Sequence, residues 1–374
     1  MSSILFSPLK LRGLELANRI AIAPMCQYSA NDGVITDWHL MHYGQFTVSG
    51  TGALFVEATS VSPEGRISPG DVGIWSDDTA QALGRLVKFR QSYGNVPLGV
   101  QLAHAGRKAS TGVPWGEHRV LGPDTGGWSV VGPSAISFSN VFPMPEELDQ
   151  SGLDRIKSCF VEATHRAEQI GVEIIEIHAA HGYLLQQFLS PLSNQRSDDY
   201  GGSLENRMRY PLEIFAAVRE VWPDEKPLGI RISAVDWVEG GWTLDESVTF
   251  AKALEAAGCD FIDVSSAGAT PDAVIDGGPG YQVPFAAAIK AAVTDMKVMA
   301  VGLITSGRQA ETILRSGQAD MVALGRGFLY DPHWTWRAAE ELGAQAPYPP
   351  QYARCHPSLQ GLPIPPGAPP AEAS

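Results

Sequence analysis

"VEIIEIHAAHGYLLQQFLSPLSNQRSDDYGGSLENRMRYPLEIFAAVREVWPDEKPLGIRIS", residues 172–233, holds one complete strand–helix–strand unit. "VEIIEIH" (172–178) and "PLGIRIS" (227–233) are short runs rich in isoleucine. Near-continuous apolar strands are expected where both faces of a parallel sheet are covered. Between them, "GGSLENRMRYPLEIFAAVREVW" (201–222) reads as a helix. The first strand ends in His178, with His181 three residues on and Tyr183 two beyond that.

The same unit recurs along the chain. Further strands are expected at "RIAIAP" (19–24), "ALFVEA" (53–58), "PLGVQLA" (97–103), "DFIDVSS" (260–266), "KVMAVG" (297–302) and "ADMVALG" (319–325). One intervening helix carries Leu153, Ile156, Phe160, Ala163, Ala167 and Ile170 at three- and four-residue spacing, with Ser151 read as its N-cap. Another opens on the capping box Thr243–Glu246. Eight strand–helix units in succession predict an α/β fold, the (β/α)8 TIM barrel. A doubly wound sheet competes, but no Gly-x-Gly-x-x-Gly follows the first strand. "LKLRGLELAN" reads as a hairpin turning at Arg12-Gly13, expected to plug the bottom of the barrel. Residues 104–150 are long and rich in Gly, Pro and Trp, as expected of a lid or capping segment. One domain is expected over 1–356, followed by a proline-rich disordered tail over 357–374.

Composition excludes several classes. Of 374 residues, 44% are hydrophobic and 18% charged, which suits a large core. The formal net charge of −14 argues against nucleic acid or an anionic membrane as partner. Neither a secretory leader nor a spanning segment is evident. The four cysteines, Cys26, Cys159, Cys259 and Cys355, have no Cys-x-x-Cys spacing, which fits a cytoplasmic enzyme with free thiols.

A barrel places its chemistry where strands end at the C-terminal face. Those ends carry Met25 and Cys26, Ala58, Gln101 and His104, His178 and His181, Arg231, Gly302, and Gly325 with Arg326. "VGLITSG" after strand seven and "LGRGF" after strand eight are glycine-bearing turns that open helices. Such turns let backbone N–H groups approach a phosphate, and Arg326 adds a bidentate contact. His178 and His181 are open to three readings. Two imidazoles aimed at one point can hold an oxygen and stabilise charge developing on it, with Tyr183 delivering a proton. They can equally be satisfied core histidines. A metal site, as in a metal-dependent barrel hydrolase, is the third reading. Against that one, the inner residues are Ala179 and Ala180 rather than the His-Glu-x-x-His of a zincin, and the first strand ends Pro24-Met25-Cys26 rather than His-x-His.

"NRIAIAPMCQYSANDG", "QLAHAGRKAS", "HAAHGYLLQQFLSPLSNQRSDDYGGSLENR" and "AVGLITS", in this order, resemble the Old Yellow Enzyme family of FMN-dependent ene-reductases. "APMCQY", with Cys26 where other members carry threonine, resembles its thermophilic-like or xenobiotic-reductase branch. The resemblance implies FMN across the barrel mouth, non-covalently held, with its phosphate on Gly302, Gly325 and Arg326 and the neighbouring Val301. It implies Arg231 at the pyrimidine edge, Gln101 bonded to the same ring, and Ala23, Pro24, Met25 and Ala58 packed along it. Cys26 is implied to tune the flavin. His178 and His181, helped by Tyr28, are implied to grip the substrate's activating oxygen, and Tyr183 to protonate the α-carbon as flavin N5 gives hydride to the β-carbon. NADPH or NADH is implied as the ping-pong hydride donor, and enones and nitro compounds as substrates. No metal is expected. "QYARC" near the end matches a Tyr-x-Arg that in this branch enters the neighbouring subunit's site. A homodimer is therefore expected, with Arg354 in the partner's active site.

Overall fold

The computed structural model describes residues 2–355; the tail expected over 357–374 lies outside them. Eight parallel strands close into a barrel. They are β1 (Ile20–Ile22), β2 (Ala53–Ser60), β3 (Leu98–Ala103), β4 (Ile174–Ala179), β5 (Leu228–Ser233), β6 (Phe261–Ser265), β7 (Lys297–Val301) and β8 (Met321–Leu324). They run round the barrel in chain order, with β8 pairing back to β1. Ten helices accompany them: α1 (Asp37–Thr47), α2 (Asp77–Tyr93), α3 (Gln150–Gln169), α4 (Leu184–Leu189), α5 (Leu204–Val221), α6 (Leu244–Ala256), α7 (Val283–Lys290), α8 (Gly307–Arg315), α9 (Arg326–Tyr330) and α10 (Trp334–Leu342).

The barrel follows from the sequence pattern. Outward strand residues such as Val56, Val100, Ile177, Ile230 and Val298 join one core with the apolar stripes of the helices, among them Phe160 of α3 and Phe215 of α5. Inward residues form a second cluster at the N-terminal end, where Phe55, Ile174, Phe261, Met299 and Met321 meet Leu9, Leu11 and Leu16. Those leucines belong to the expected hairpin, in which Leu9–Leu11 pairs antiparallel with Leu14–Leu16. Arg12 Nε holds Asp260, just before β6, at 2.6 Å. Gly229 makes room for this filling: a Cβ there would lie 2.4 Å from the Phe261 ring.

Strand alternation then stacks three interior layers. Above the apolar floor come Gln101, Glu176, Arg231 and Asp263, two residues further along their strands, and then His178, Ser233 and Ser265 at the open end. A bulge in β2 lets Ala58, rather than Glu57, pair with Gln101.

One helix start differs from expectation. Helix α3 is capped by Asp149, whose Oδ1 accepts the Gly152 N–H at 2.8 Å, and Ser151 already lies inside the helix. Both residues can cap, but a carboxylate also gains from the helix dipole and starts the helix two residues earlier. Thr243 caps α6 with the reciprocal Glu246 contact, as read.

Candidate active site

The C-terminal strand ends surround a cleft of about 1120 Å³. Ala23, Pro24, Met25, Arg231, Val301, Gly302, Gly325 and Arg326 all line it. On the side of β7 and β8 the turns form a cradle for a phosphate. Gly302 has φ +121°, and a Cβ on it would lie 2.8 Å from Gln282 Nε2, so the turn accepts glycine alone. Among the described residues the N–H groups of Leu303, Ile304, Arg326 and Gly327 have no partner. The first amide of α8 is already taken, since Gly307 N–H donates to Glu341 Oε2 at 2.9 Å. The anion-facing donors therefore sit before α8 and at the start of α9.

His178 ends β4 and is buried; His181 follows in a turn at φ +58°. The Ala180 N–H donates to His178 Nδ1 at 3.2 Å, which puts that ring's proton on Nε2. This Nε2 lies 3.4 Å from His181 Nδ1, and the rings are perpendicular. His181 Nε2 lies 2.8 Å from Ser265 Oγ. Burial first, then the nearby Arg231, hold both imidazoles well below the ordinary histidine pKa, so both are neutral. Tyr183 caps α4 and meets His178 edge-on, with centroids 5.0 Å apart. Burial raises its phenol, so it keeps its proton.

Across the site, Tyr28 sits at φ +51°, its ring edge-on to Trp115, which protrudes from the 104–150 segment. Burial raises the Cys26 thiol, and the carboxyls of Asp71 and Glu57 raise it further. Glu57 fixes this segment from behind: it accepts the Gln27 N–H at 2.9 Å and the Tyr43 hydroxyl at 2.9 Å. Ala58 and Gln101 are buried register partners, and Gln101 Nε2 donates to Glu176 Oε1 at 2.7 Å.

Sequence reading missed several groups here. Ser265 ends β6 and Asp263 lies at its middle, in a strand whose C-terminal end was not read for chemistry. Their signal was Asp263 and Ser265 alternating with apolar residues in "DFIDVSS". Lys108 was also missed. Its ammonium donates to the His181 and Gly268 carbonyls at 2.7 and 3.0 Å and lies 5.2 Å from the Tyr183 ring centroid. His104, read as a strand-end candidate, is buried with Nδ1 accepting the Gly106 N–H, and like His178, His181, Tyr183 and Cys26 it is not among the residues lining the cleft of about 1120 Å³. Arg354 is exposed and does not line its own chain's cleft. Tyr352, two residues before it, meets the rings of His333 and Trp336 edge-on, with centroids 6.1 and 6.0 Å apart.

A barrel with a phosphate cradle and a paired-histidine mouth defines a flavin-dependent oxidoreductase class. The chain belongs to the NADH:flavin oxidoreductase / NADH oxidase family, whose model matches residues 4–345. It is 46% identical over 356 residues to an NADPH dehydrogenase of Geobacillus thermodenitrificans, covering 95% of this chain and 99% of the relative. It is 44% identical to an NADH:flavin oxidoreductase of Gibberella zeae, covering 92% and 87%. Among solved structures, morphinone reductase in complex with tetrahydroNAD superposes with a TM-score of 0.76 at 28% identity, covering 92% of each chain. The protein is an oxidoreductase of the Old Yellow Enzyme type, using FMN and NAD(P)H. The hydrolase reading has no support: among the described residues no group of three or more His, Cys, Asp or Glu could hold a metal ion. No helix among them is long and apolar enough to cross a membrane.

Proposed function

We propose that this chain is an ene-reductase acting on activated C=C bonds of small enones and nitroalkenes. One observation carries the reading: two neutral imidazoles face each other at 3.4 Å with a protonated tyrosine edge-on to one of them. A single carbonyl or nitro oxygen can face both ring nitrogens. His178 donates from Nε2. His181 donates from Nδ1 when Ser265 Oγ gives its own proton to Nε2, a role that a hydroxyl can take. Two fixed donors stabilise charge that grows on that oxygen as hydride arrives at the β-carbon. Tyr183 then supplies a proton to the α-carbon. FMN, when bound, supplies the hydride, which it takes from NAD(P)H.

The residues present fit FMN. Arg326, with the free amides of Arg326, Gly327, Leu303 and Ile304, would hold its phosphate. Arg231 would meet the pyrimidine side and Ala23, Pro24 and Met25 the ring, with Gln101 and Ala58, which do not line the cleft, backing them. A charge-assisted contact to phosphate is worth about 1.5–3 kcal/mol. Arg326→Ala should therefore raise the FMN dissociation constant by roughly tenfold or more, read by fluorescence of released flavin. Unchanged retention would remove Arg326 from the cradle.

Cys26 acts as a neutral group beside the ring. With its thiol protonated, it is a weak dipole and no nucleophile. Cys26→Ala should shift the FMN midpoint potential and change the two half-reaction rates unequally. A covalent Cys26–substrate adduct formed during turnover would overturn this role.

Residues 104–150 act as a lid through Trp115 over Tyr28, and residues 1–356 as one domain. Arg354, being exposed, is available to a second copy, most simply in a homodimer. Arg354→Ala should raise the KM for enone without lowering the melting temperature; an unchanged KM would free Arg354 from any site. Free thiols throughout fit a reducing cytoplasm.

A further inference from the structure

The middle interior layer holds two carboxyls that the chemistry above does not use. Arg231 and Asp263 are register partners on β5 and β6, with Nε 2.9 Å from Asp263 Oδ2. Gln101 and Glu176 are register partners on β3 and β4. Glu176 and Asp263 are both wholly buried. Glu176 Oε2, both Asp263 carboxylate oxygens and Arg231 Nε find no hydrogen-bond partner among the described residues, so Arg231 and Asp263 meet as an ion pair without a hydrogen bond. Of these four side chains only Arg231 lines the cleft. None of its guanidinium nitrogens makes a hydrogen bond among the described residues, and Nε is the one that lies against the Asp263 carboxylate.

Two carboxyls therefore share one guanidinium in a dry interior. Two negative charges against one positive charge there are costly, so one carboxyl keeps its proton. Burial raises the Asp263 carboxyl too, and the Arg231 guanidinium at 2.9 Å pulls it back down, so Asp263 is the one of the pair that the cation favours as a carboxylate. Glu176 is the protonated one: burial first, then Asp263, push its carboxyl up to about 8.

We propose that Asp263 is a positioning residue for Arg231, and that its charge sets how strongly Arg231 attracts electrons into the bound FMN. Drawn at Nε towards the Asp263 charge, the guanidinium lines the cleft with its Nη groups free of protein partners. Partly neutralised from below, it stabilises added negative charge on the ring less than a lone guanidinium would. The cofactor then stays a strong enough donor for the substrate. This rests on the placement of FMN against Arg231 proposed above.

The test is the midpoint potential of FMN in the holoenzyme, measured by anaerobic spectroelectrochemistry at pH 7. Asp263→Asn keeps the size and shape of the side chain and removes the charge. The potential should rise by the equivalent of tenfold or more, about 30 mV for a two-electron couple. Glu176→Gln should leave it nearly unchanged, because that carboxyl is already neutral. Arg231→Gln should lower it. An unchanged or lowered potential in Asp263→Asn, with Arg231→Gln still lowering it, overturns the inference and leaves the FMN placement standing. An unchanged potential in Arg231→Gln overturns the placement itself. Where Asp263→Asn yields no folded holoprotein, Glu176→Gln decides by pH. The charged and titratable groups about Glu176 are Arg231 on β5, Asp263 on β6 and His178 on its own strand, with Gln101 on β3 as its neutral partner. Above about pH 8 the wild-type potential should fall more steeply with pH as Glu176 ionises, and Glu176→Gln should abolish that break. A break that persists in Glu176→Gln overturns the inference.

Discussion

Replacing His178 and His181 together by alanine should slow enone reduction by about two orders of magnitude or more, the usual scale for lost oxyanion donors. Reduction of the bound FMN by NADPH should suffer far less. The physical reason is placement: both rings are neutral, their facing nitrogens are 3.4 Å apart, and the backbone fixes the His178 proton on Nε2. The same variant should lose the long-wavelength absorbance that a phenolate gives when stacked over oxidised flavin. In the wild type that absorbance should show no histidine inflection near pH 6.5. Burial and Arg231 depress both pKa values, so the charged forms appear only at lower pH. The sign for stability follows from the same depression. Below about pH 6.5 the unfolded histidines bind protons that the folded ones refuse, so stability contributed by neutral burial is lost as pH falls. Enone kinetics like wild type in the double variant would return the pair to a structural role.

Tyr183→Phe should show the second large effect, confined to one half-reaction. A positioned general acid contributes about 10²–10⁴-fold. The phenol holds its proton because burial raises it, its backbone stands at the N-cap position of α4, and its ring meets the His178 ring edge-on. Anaerobic reduction by NADPH should be spared, and reoxidation by 2-cyclohexenone should slow by about a hundredfold. Equal loss in both half-reactions would mean that the substitution repacks the site and that Tyr183 is no acid.

Much of this was legible in the chain because barrels write their sites in a fixed place. Alternating strand–helix units gave the eight strands, and reading their ends gave Arg231, His178, His181, Gly302 and Gly325 before any coordinates. What escaped has physical causes. Asp263 and Glu176 sit mid-strand, where a charged residue in an apolar run reveals its role only once register brings it beside Arg231. Lys108 acts on the backbone carbonyls of His181 and Gly268, and a loop lysine gives no periodic signal of such a contact. The start of α3 was misplaced because "DQS" offers Asp149 and Ser151 as alternative caps, and local propensity scarcely separates them. Arg354 is exposed, and the role expected of it needs a second copy, which a single chain cannot show.

The proposed alkene-reductase activity of this flavin oxidoreductase rests on the paired histidines. Double-mixing stopped flow tests it most directly: the holoenzyme is first bleached with one equivalent of NADPH without oxygen, then mixed with 2-cyclohexenone. The flavin colour should return in a single phase whose rate rises with enone concentration, with one cyclohexanone formed per FMN. A bleached enzyme that stays bleached with the enone, yet recovers its colour when oxygen is admitted, would contradict the claim.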